Sequence, residues 1–451
     1  MAICHVMFSA RWCKGSTREF GSRCQGSNPC WATGNMANFC SIILAAGKGT
    51  RMKSDVPKVL HQVCGRPMIE YVLDITRSLR SLKTYVVTGY GADKVKQAIG
   101  DDVEFVLQPQ LLGTADAVRR VESHLKGFNS TVLVLCGDTP LLSKDIVRAL
   151  LAKHRKSKAS VTVLTASIDS PQGYGRIIRD RLEKFLAIRE EKDTSVEEVL
   201  INEINVGVYC FESRKLFEAL KKVRLNSKKK EFYLTDVIEL FLSNGHKVES
   251  LTTQEAHVAF GVNTRQDLAQ AEGIIRQRIL DGHMRNGVTI VDPSTTYIDS
   301  GVKIGHDTII YPCTVINKNV QIGSNCHIGP FAHIRPGCHI ADKVEIGNFA
   351  EVSRTTIGTG TMMKHFSFLG DATVGAGVNI GAGVVTANFD GVTKNKTKID
   401  QAAFIGSDAI LVAPVTVGSK AIIGAGAVVP RNTKVPSRAI ARGVPAKIFV
   451  K

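Results

Sequence analysis

A chain of 451 residues, 44% hydrophobic and 22% charged, can bury more than one core, so two domains are the starting expectation. Its formal charge of +17 admits an anionic partner, but no stacking aromatics are interleaved with the basic residues, which argues for nucleotides rather than nucleic acid. No apolar run reaches the roughly 18 to 20 residues that span a bilayer, and eleven cysteines without a CxxC pair indicate neither a disulfide framework nor a zinc site, but a reducing cytoplasm.

Residues 1–35 are poor in acids, with Glu19 against Arg11, Lys14, Arg18 and Arg23, and lack the apolar stretch of a secretory signal. Their Arg and Ser content admits a transit peptide. The apolar pattern begins at Cys40, so Met36 reads as the natural start and residues 1–35 as a disordered or spurious extension. Residues 41–45 are a short apolar run feeding Ala45-Ala46-Gly47 and then Gly49, the pattern of a buried parallel strand entering a tight turn. Small residues there let backbone N–H groups approach a phosphate, Arg51 and Lys58 add positive charge, and Pro57 fixes the chain before Lys58. A glycine-rich turn by itself is equally consistent with one that binds nothing.

Strand-like runs at 84–88, 103–107, 131–135 and 161–165 come next, and Met68, Ile69, Val72, Leu73 and Ile75 mark an amphipathic helix starting at Pro67. This alternation predicts a mostly parallel sheet with helices on both faces, which binds ligands at the carboxyl ends of its strands. QPQLLGTADA at 108–117, Cys136-Gly137-Asp138, and Gly173-Tyr174-Gly175-Arg176 all fall at such ends or in loops that reach them. Asp138 alone also reads as a helix cap, and Cys64, Cys136 and Cys210 read as small core fillers.

Leu268, Ala271, Ile275 and Ile279 place a helix over about 264–285, packed on the first domain or connecting it to the second. Beyond Gly287, Ile298, Ile304, Ile310, Ile316, Ile322, Ile328, Ile334, Ile340, Ile346 and Val352 recur at every sixth position, often followed by glycine. Six residues per rung and three rungs per turn is the period of a hexapeptide β-helix. The phase slips near Ile357 and Val374, breaks at 387–398, and resumes from Ile399 to Val435. The break is a loop carrying Asn388, Asp390, Lys394, Lys396 and Lys398, suited to an anionic ligand.

LAAGKGTRMKSDVPKVL lacks the order of a P-loop and is similar to the signature of sugar-phosphate nucleotidyltransferases. With GYGRI, EINVGV, EFYLTD and the series RPG, GNFAE, LGD and NIGAG, the chain from about Cys40 to Arg442 resembles the bacterial bifunctional N-acetylglucosamine-1-phosphate uridyltransferase/glucosamine-1-phosphate acetyltransferases. The resemblance implies an α/β nucleotidyltransferase domain with a Rossmann-like sheet over 36–263, a connector helix over 264–286, and a left-handed parallel β-helix over 287–451. It implies synthesis of UDP-N-acetylglucosamine for peptidoglycan and lipopolysaccharide from UTP, acetyl-CoA and glucosamine-1-phosphate, with Mg²⁺, by a homotrimer.

Carried over residue by residue, it implies that Leu44, Ala45, Ala46, Gly47, Gly49, Thr50, Lys58, Gln108, Gly113 and Thr114 hold the UTP, with Arg51 and Lys58 offsetting charge in the reaction. Gly175, Glu190 and Asn205 match positions contacting the amino sugar, and Asp138 and Asn263 those holding Mg²⁺. His365 matches the base of acetyl transfer, oriented by Glu351; without its flanking motif it reads as a surface histidine at a solenoid corner. Arg335, Arg354, Phe368 and Asn379 match glucosamine-phosphate contacts. Asn388 and Lys394 are shared between that sugar and acetyl-CoA, and Ala382, Phe389, Ser407, Ile423 and Arg442 lie on the acetyl-CoA side. Arg354 stands where the family has lysine, Phe368 and Cys136 where it has tyrosine, and the coils between Ile304 and Arg335 are fewer. A uridyltransferase whose β-helix only assembles the trimer, and a nucleic-acid or regulatory binder using the positive charge, are the competing readings.

Overall fold

The computed structural model describes residues 38–226 and 230–450, and the expectation for residues 1–35 lies outside them. The chain opens with β1 (Phe39–Ala45), whose run FCSIILA is buried almost throughout. A two-residue-strand hairpin, β2 (Gln62–Val63) and β3 (Arg66–Pro67), leads to α1 (Met68–Ser78). The expected helix thus begins one residue later, because Pro67 keeps an extended ψ of 139° and pairs with Gln62. Then come β4 (Thr84–Thr88), α2 (Ala92–Ile99), β5 (Glu104–Leu107), α3 (Thr114–Arg119), β6 (Thr131–Cys136), α4 (Lys144–Ser157) and β7 (Val161–Ser167). β8 (Arg176–Arg179), β9 (Phe185–Arg189), β10 (Glu203–Glu212), α5 (Ser213–Leu220), α6 (Asp236–Ser243) and β11 (Val248–Thr253) complete the sheet domain.

The main sheet has the order β11-β7-β10-β6-β1-β4-β5, with the β8–β9 hairpin beside β10. Every pairing along it is parallel except those of β10, which runs antiparallel between β6 and β7. The chain steps from β1 outward through β4 to β5 and returns to place β6 on the other side of β1. Strand order therefore reverses beside β1, which opens a crevice at the carboxyl ends of β1 and β6.

A 21-residue helix, α7 (Arg265–Arg285), starts with a capping box: Thr264 accepts from the Asp267 N–H while the Asp267 carboxylate accepts from that of Thr264. Its first half packs Ala271 and Ile275 against Val63, Met68, Leu141 and Val262 of the sheet domain. Its second half packs Leu280, Ile279 and Met284 against the first coils of the solenoid. One helix is shared by two cores, and the hairpin joins it: the Ser300 N–H donates to the Cys64 carbonyl at 2.9 Å, and Arg276 stacks over Tyr297 at 4.1 Å.

From Thr289 onward the chain coils as a three-sided β-helix of ten-, eight- and eight-stranded sheets, parallel but for the last strand, Lys447–Phe449, which pairs antiparallel. Ile298, Ile316, Ile334 and Val352 lie in register, eighteen residues apart, and Ile316, Ile334 and Val352 are fully buried. At the first slip, Ile340 pairs with Ile357, one residue short of that spacing, and the ladder continues unbroken. At the break, Val374 pairs with Ile399, so the extra residues leave the prism as the expected loop. Glycine succeeds the inward aliphatic because the next coil passes too close for a side chain: a Cβ on Gly358 would stand 2.6 Å from the Ala376 nitrogen. Gly358→Ala is accordingly expected to destabilise the β-helix by about 1–3 kcal/mol, read as a lowered denaturation midpoint with the sheet domain's activity retained.

Candidate active sites

The first site lies in the crevice between β1 and β6, a cleft of about 450 Å³. Gly49 takes φ 63° and ψ 47°, and a Cβ there would stand 2.7 Å from Lys58 Cβ, so glycine is needed for both backbone shape and close approach. The short 3-10 turns at Thr50–Met52 and Lys58–Leu60 set Arg51 and Lys58 on the same side. The N–H groups of Gly47, Lys48 and Gly49 donate to nothing among the described residues and remain open to an anion. On the facing side, the Gly137 N–H donates to the Leu44 carbonyl at 2.9 Å, clamping the end of β6 to the end of β1 and presenting Asp138 to the turn.

Four side chains from distant parts of the chain meet here. The Lys58 ammonium is ion-paired with Asp138 and lies 3.1 Å from Asn263 Oδ1, which also accepts from Arg51 at 2.9 Å. Asn263 is placed by the start of α7, since the Asp267 carboxylate accepts from its backbone N–H at 2.8 Å. Leu44, Ala45, Ala46, Gly47, Lys58, Gln108, Gly113, Thr114, Asp138 and Glu190 line the cleft, whereas Gly49, Thr50, Arg51, Gly175, Asn205 and Asn263 stand outside its lining. The Asn205 amide is occupied within the fold, donating to the Tyr209 hydroxyl at 2.6 Å and accepting from the Gly207 N–H at 3.1 Å.

Cys136 corrects the core-filler reading, because it lines this cleft; burial and the neighbouring Asp138 push its thiol up to about 12, so it faces the cleft protonated. Cys64 and Cys210 are buried, as fillers are. Lys48, Glu231 and Tyr233 also line the cleft, beyond the residues that sequence reasoning assigned to it. The signal for the last two was EFYLTD, whose segment returns to pair with the 108–117 loop: the Phe232 N–H donates to the Leu112 carbonyl at 2.7 Å.

The second set lies on the solenoid. Register places the outward side chains of His333, Glu351, Phe368 and Val385 in one column. Arg335 donates to Glu351 at 2.8 Å beside it. At the next corner Arg354 is bidentate to Asp371, at 2.6 and 2.9 Å, and donates to Ser353. Asp371 in turn accepts from Asn388, and the Arg354 hydrogen bond, against the opposing effect of burial, holds its carboxyl below the usual range. Arg354, matched to a glucosamine-phosphate contact, is thus held by Asp371 within the chain. His365 is exposed one corner earlier and makes no hydrogen bond among the described residues.

Asn379 lies on a different face, paired with Met362 and Phe404, so the structure does not bring it to the Phe368 column within one chain. Phe389 is exposed on the loop, where its bridge to Lys394 and the Asp390 turn, tied to Arg431 at 3.2 Å, fix the loop's shape. Asp408 donates its backbone N–H to Ala382, and Ser407 lies one residue before it. Arg442 stacks on Phe449 near the far end. Ile423 is fully buried among the inward aliphatics, so its side chain cannot meet a ligand and only its backbone remains for one.

A family profile described as MobA-like NTP transferase domain matches residues 41–234, and one described as bacterial transferase hexapeptide (six repeats) matches residues 319–354. Among curated proteins, the Bifunctional protein GlmU of Geobacillus thermodenitrificans (strain NG80-2) is 46% identical over 441 residues, covering 90% of this chain and 96% of the relative. That of Geobacillus sp. (strain WCH70) is 45% identical over 440 residues, with the same coverage. That of Shouchella clausii (strain KSM-K16) is 42% identical over 438 residues, again covering 90% and 96%. An alignment of 441 residues exceeds the 90% of this 451-residue chain that it takes in, so the first relative carries stretches this chain lacks.

Proposed function

The chain belongs to the bifunctional GlmU family, and from that premise we propose that it makes UDP-N-acetylglucosamine in two steps, one at the solenoid and one at the crevice. Acetyl transfer from acetyl-CoA to glucosamine-1-phosphate is the reaction of the β-helix. Uridylyl transfer from UTP to N-acetylglucosamine-1-phosphate, releasing pyrophosphate, is the reaction of the sheet domain. The observation that carries the reading is the meeting of Arg51, Lys58, Asp138 and Asn263 at the crevice beside β1.

In uridylyl transfer a phosphate oxygen of the sugar phosphate attacks the α-phosphorus of UTP in line, and the bond from that phosphorus to the β-phosphate oxygen breaks. The open N–H groups of Gly47, Lys48 and Gly49 bind the triphosphate, and Arg51 and Lys58 offset its charge. Magnesium fits the donor set: a carboxylate oxygen of Asp138 and the amide oxygen of Asn263 already converge on one cation, the Lys58 ammonium, and a hard cation takes its other ligands from water and phosphate. When bound, it neutralises charge on the transferring phosphates. With Asp138 and Asn263 holding the metal, the Lys58 ammonium would be left for the phosphates.

Three copies of the chain make the acetyl-transfer site. Phe331 and Phe349 stack at 5.0 Å with both rings about half exposed or more, and Phe366 stands exposed in the following coil. An aromatic column on an outer corner is apolar surface that a neighbouring copy would cover. The site residues of one chain also lie on separate faces, as Asn379 and Phe368 do. We expect light scattering to give three times the chain mass; an active monomer would contradict this. Use of UTP and acetyl-CoA supports a cytoplasmic location; no helix among the described residues is long and apolar enough to cross a membrane.

A narrower reading, uridylyl transfer alone with the β-helix as an assembly device, is favoured by the commitment of Arg354 to Asp371 and by the missing hydroxyl at Phe368. Assaying purified protein for each half-reaction separates the two. Both activities are expected; absence of acetyl transfer would leave the narrower reading.

A further inference from the structure

Gln108 enters the cleft at the end of β5, buried and with its amide fully committed on one side. Its Nε2 donates to the Gly113 carbonyl and to Asp116 Oδ2, each at 3.0 Å. A carboxylate and a carbonyl are acceptors only, so these two neighbours dictate which end of the amide faces them. Both amide hydrogens are used, and the capacity left to offer a ligand is the acceptor, Oε1.

The Asp116 carboxylate is completely buried on the first turn of α3. Arg119 donates to its Oδ1 at 2.8 Å, and Arg120 reaches Oδ1 at 3.1 Å and Oδ2 at 3.3 Å. Arg119 is itself stacked 5.2 Å from the centre of the Phe232 ring, on the segment whose carbonyl accepts from the Ala115 N–H. Burial alone would raise the Asp116 pKa, but the hydrogen bonds from Gln108, Arg119 and Arg120 outweigh it and keep the group charged.

We propose that Asp116 is a positioning residue that sets which base the cleft accepts: by holding the Gln108 nitrogen it leaves the Gln108 oxygen for the base. That oxygen pairs with a ring N–H, as on N3 of uracil, and meets the lone pair of N3 on cytosine with repulsion. The inference rests on the uridylyltransferase reading, and deepens it by giving the physical origin of nucleotide choice. Sites built around one buried hydrogen bond reject the unmatched analogue by large factors, because the mismatch leaves buried polar groups unpaired.

Asp116→Asn is the test, with kcat/KM measured for UTP and for CTP. Arg119 and Arg120 would claim the oxygen of the new amide and turn its nitrogen toward Gln108 Nε2, setting donor against donor and leaving the Gly113 carbonyl alone to hold the Gln108 orientation. The UTP-to-CTP preference is expected to fall by about 10-fold or more, with an unchanged denaturation midpoint of the sheet domain as the measure of intact folding. Asp116→Glu, still acceptor-only, should keep the preference that Asp116→Asn loses. Should Asp116→Asn fail to fold, Arg119→Ala at the exposed end of the network is expected to lower the same ratio by about 2- to 10-fold. An unchanged ratio in folded Asp116→Asn, or in Arg119→Ala where that is the variant in hand, overturns the proposal and leaves the uridylyltransferase reading standing. Wild-type protein inert with both nucleotides overturns that reading, and the proposal with it.

Discussion

Asp138→Ala is expected to lower uridylyl transfer at least about 10³-fold, about 4 kcal/mol of transition-state stabilisation, while leaving acetyl transfer within twofold of wild type. The carboxylate sits at the end of β6, held toward the phosphate turn by the Gly137–Leu44 hydrogen bond, and is ion-paired with Lys58. Its removal takes away one of the two oxygens proposed for the metal, and leaves the Lys58 ammonium with Asn263 as its hydrogen-bond partner among the described residues. The fold survives because the backbone carbonyl of residue 138, which accepts from the Val262 N–H at 2.9 Å, does not depend on the side chain. Substrate binding and turnover assayed at rising Mg²⁺ check the cause: excess metal should recover little activity. A loss smaller than 10-fold would place the metal elsewhere.

His365→Ala is expected to do the reverse, lowering acetyl transfer by about 10² to 10⁴ and sparing uridylyl transfer. The sugar nitrogen attacks the thioester carbonyl carbon, the carbon–sulfur bond breaks, and the coenzyme leaves as a thiolate. The proton lost by nitrogen goes to a base, and imidazole is the side chain suited to that near neutral pH. His365 is exposed at a corner of the prism and makes no hydrogen bond among the described residues, so its removal leaves no buried group unpaired. A fall in activity therefore reads as chemistry rather than folding. Equal activity in the variant would mean that another group accepts the proton.

The solenoid was legible in the sequence to the residue because its interior is one-dimensional. Each coil stacks only on the coils above and below it, so Ile298, Ile316 and Ile334 show in the period what they do in space. The slip at Ile357 and the loop after Ala387 were legible for the same reason, as departures from a rule. The glycine turn and Asp138 were legible as motifs.

What escaped depends on register between segments far apart in sequence. Arg354 reads as an available cation until coil stacking sets Asp371 beside it, seventeen residues on. Ile423 matches a family position, yet the same six-residue period that defines the fold turns its side chain inward. Cys136 sits at the last position of an apolar strand, where core and cleft are one residue apart. Asp116 lies inside a motif read for its glycine and threonine, and its role emerges only once Gln108 and two arginines are seen around it.

Two independent sites on one chain, acting in sequence, are the central claim. The direct measurement supplies glucosamine-1-phosphate, acetyl-CoA and UTP to Asp138→Ala protein, to His365→Ala protein, and to their mixture, and tracks UDP-N-acetylglucosamine. The first variant should accumulate N-acetylglucosamine-1-phosphate, the second should consume acetyl-CoA at least about 10²-fold more slowly than wild type, and the mixture should recover product at a rate approaching that of wild type. A mixture as inactive as its components, with each variant folded, would contradict two independent sites.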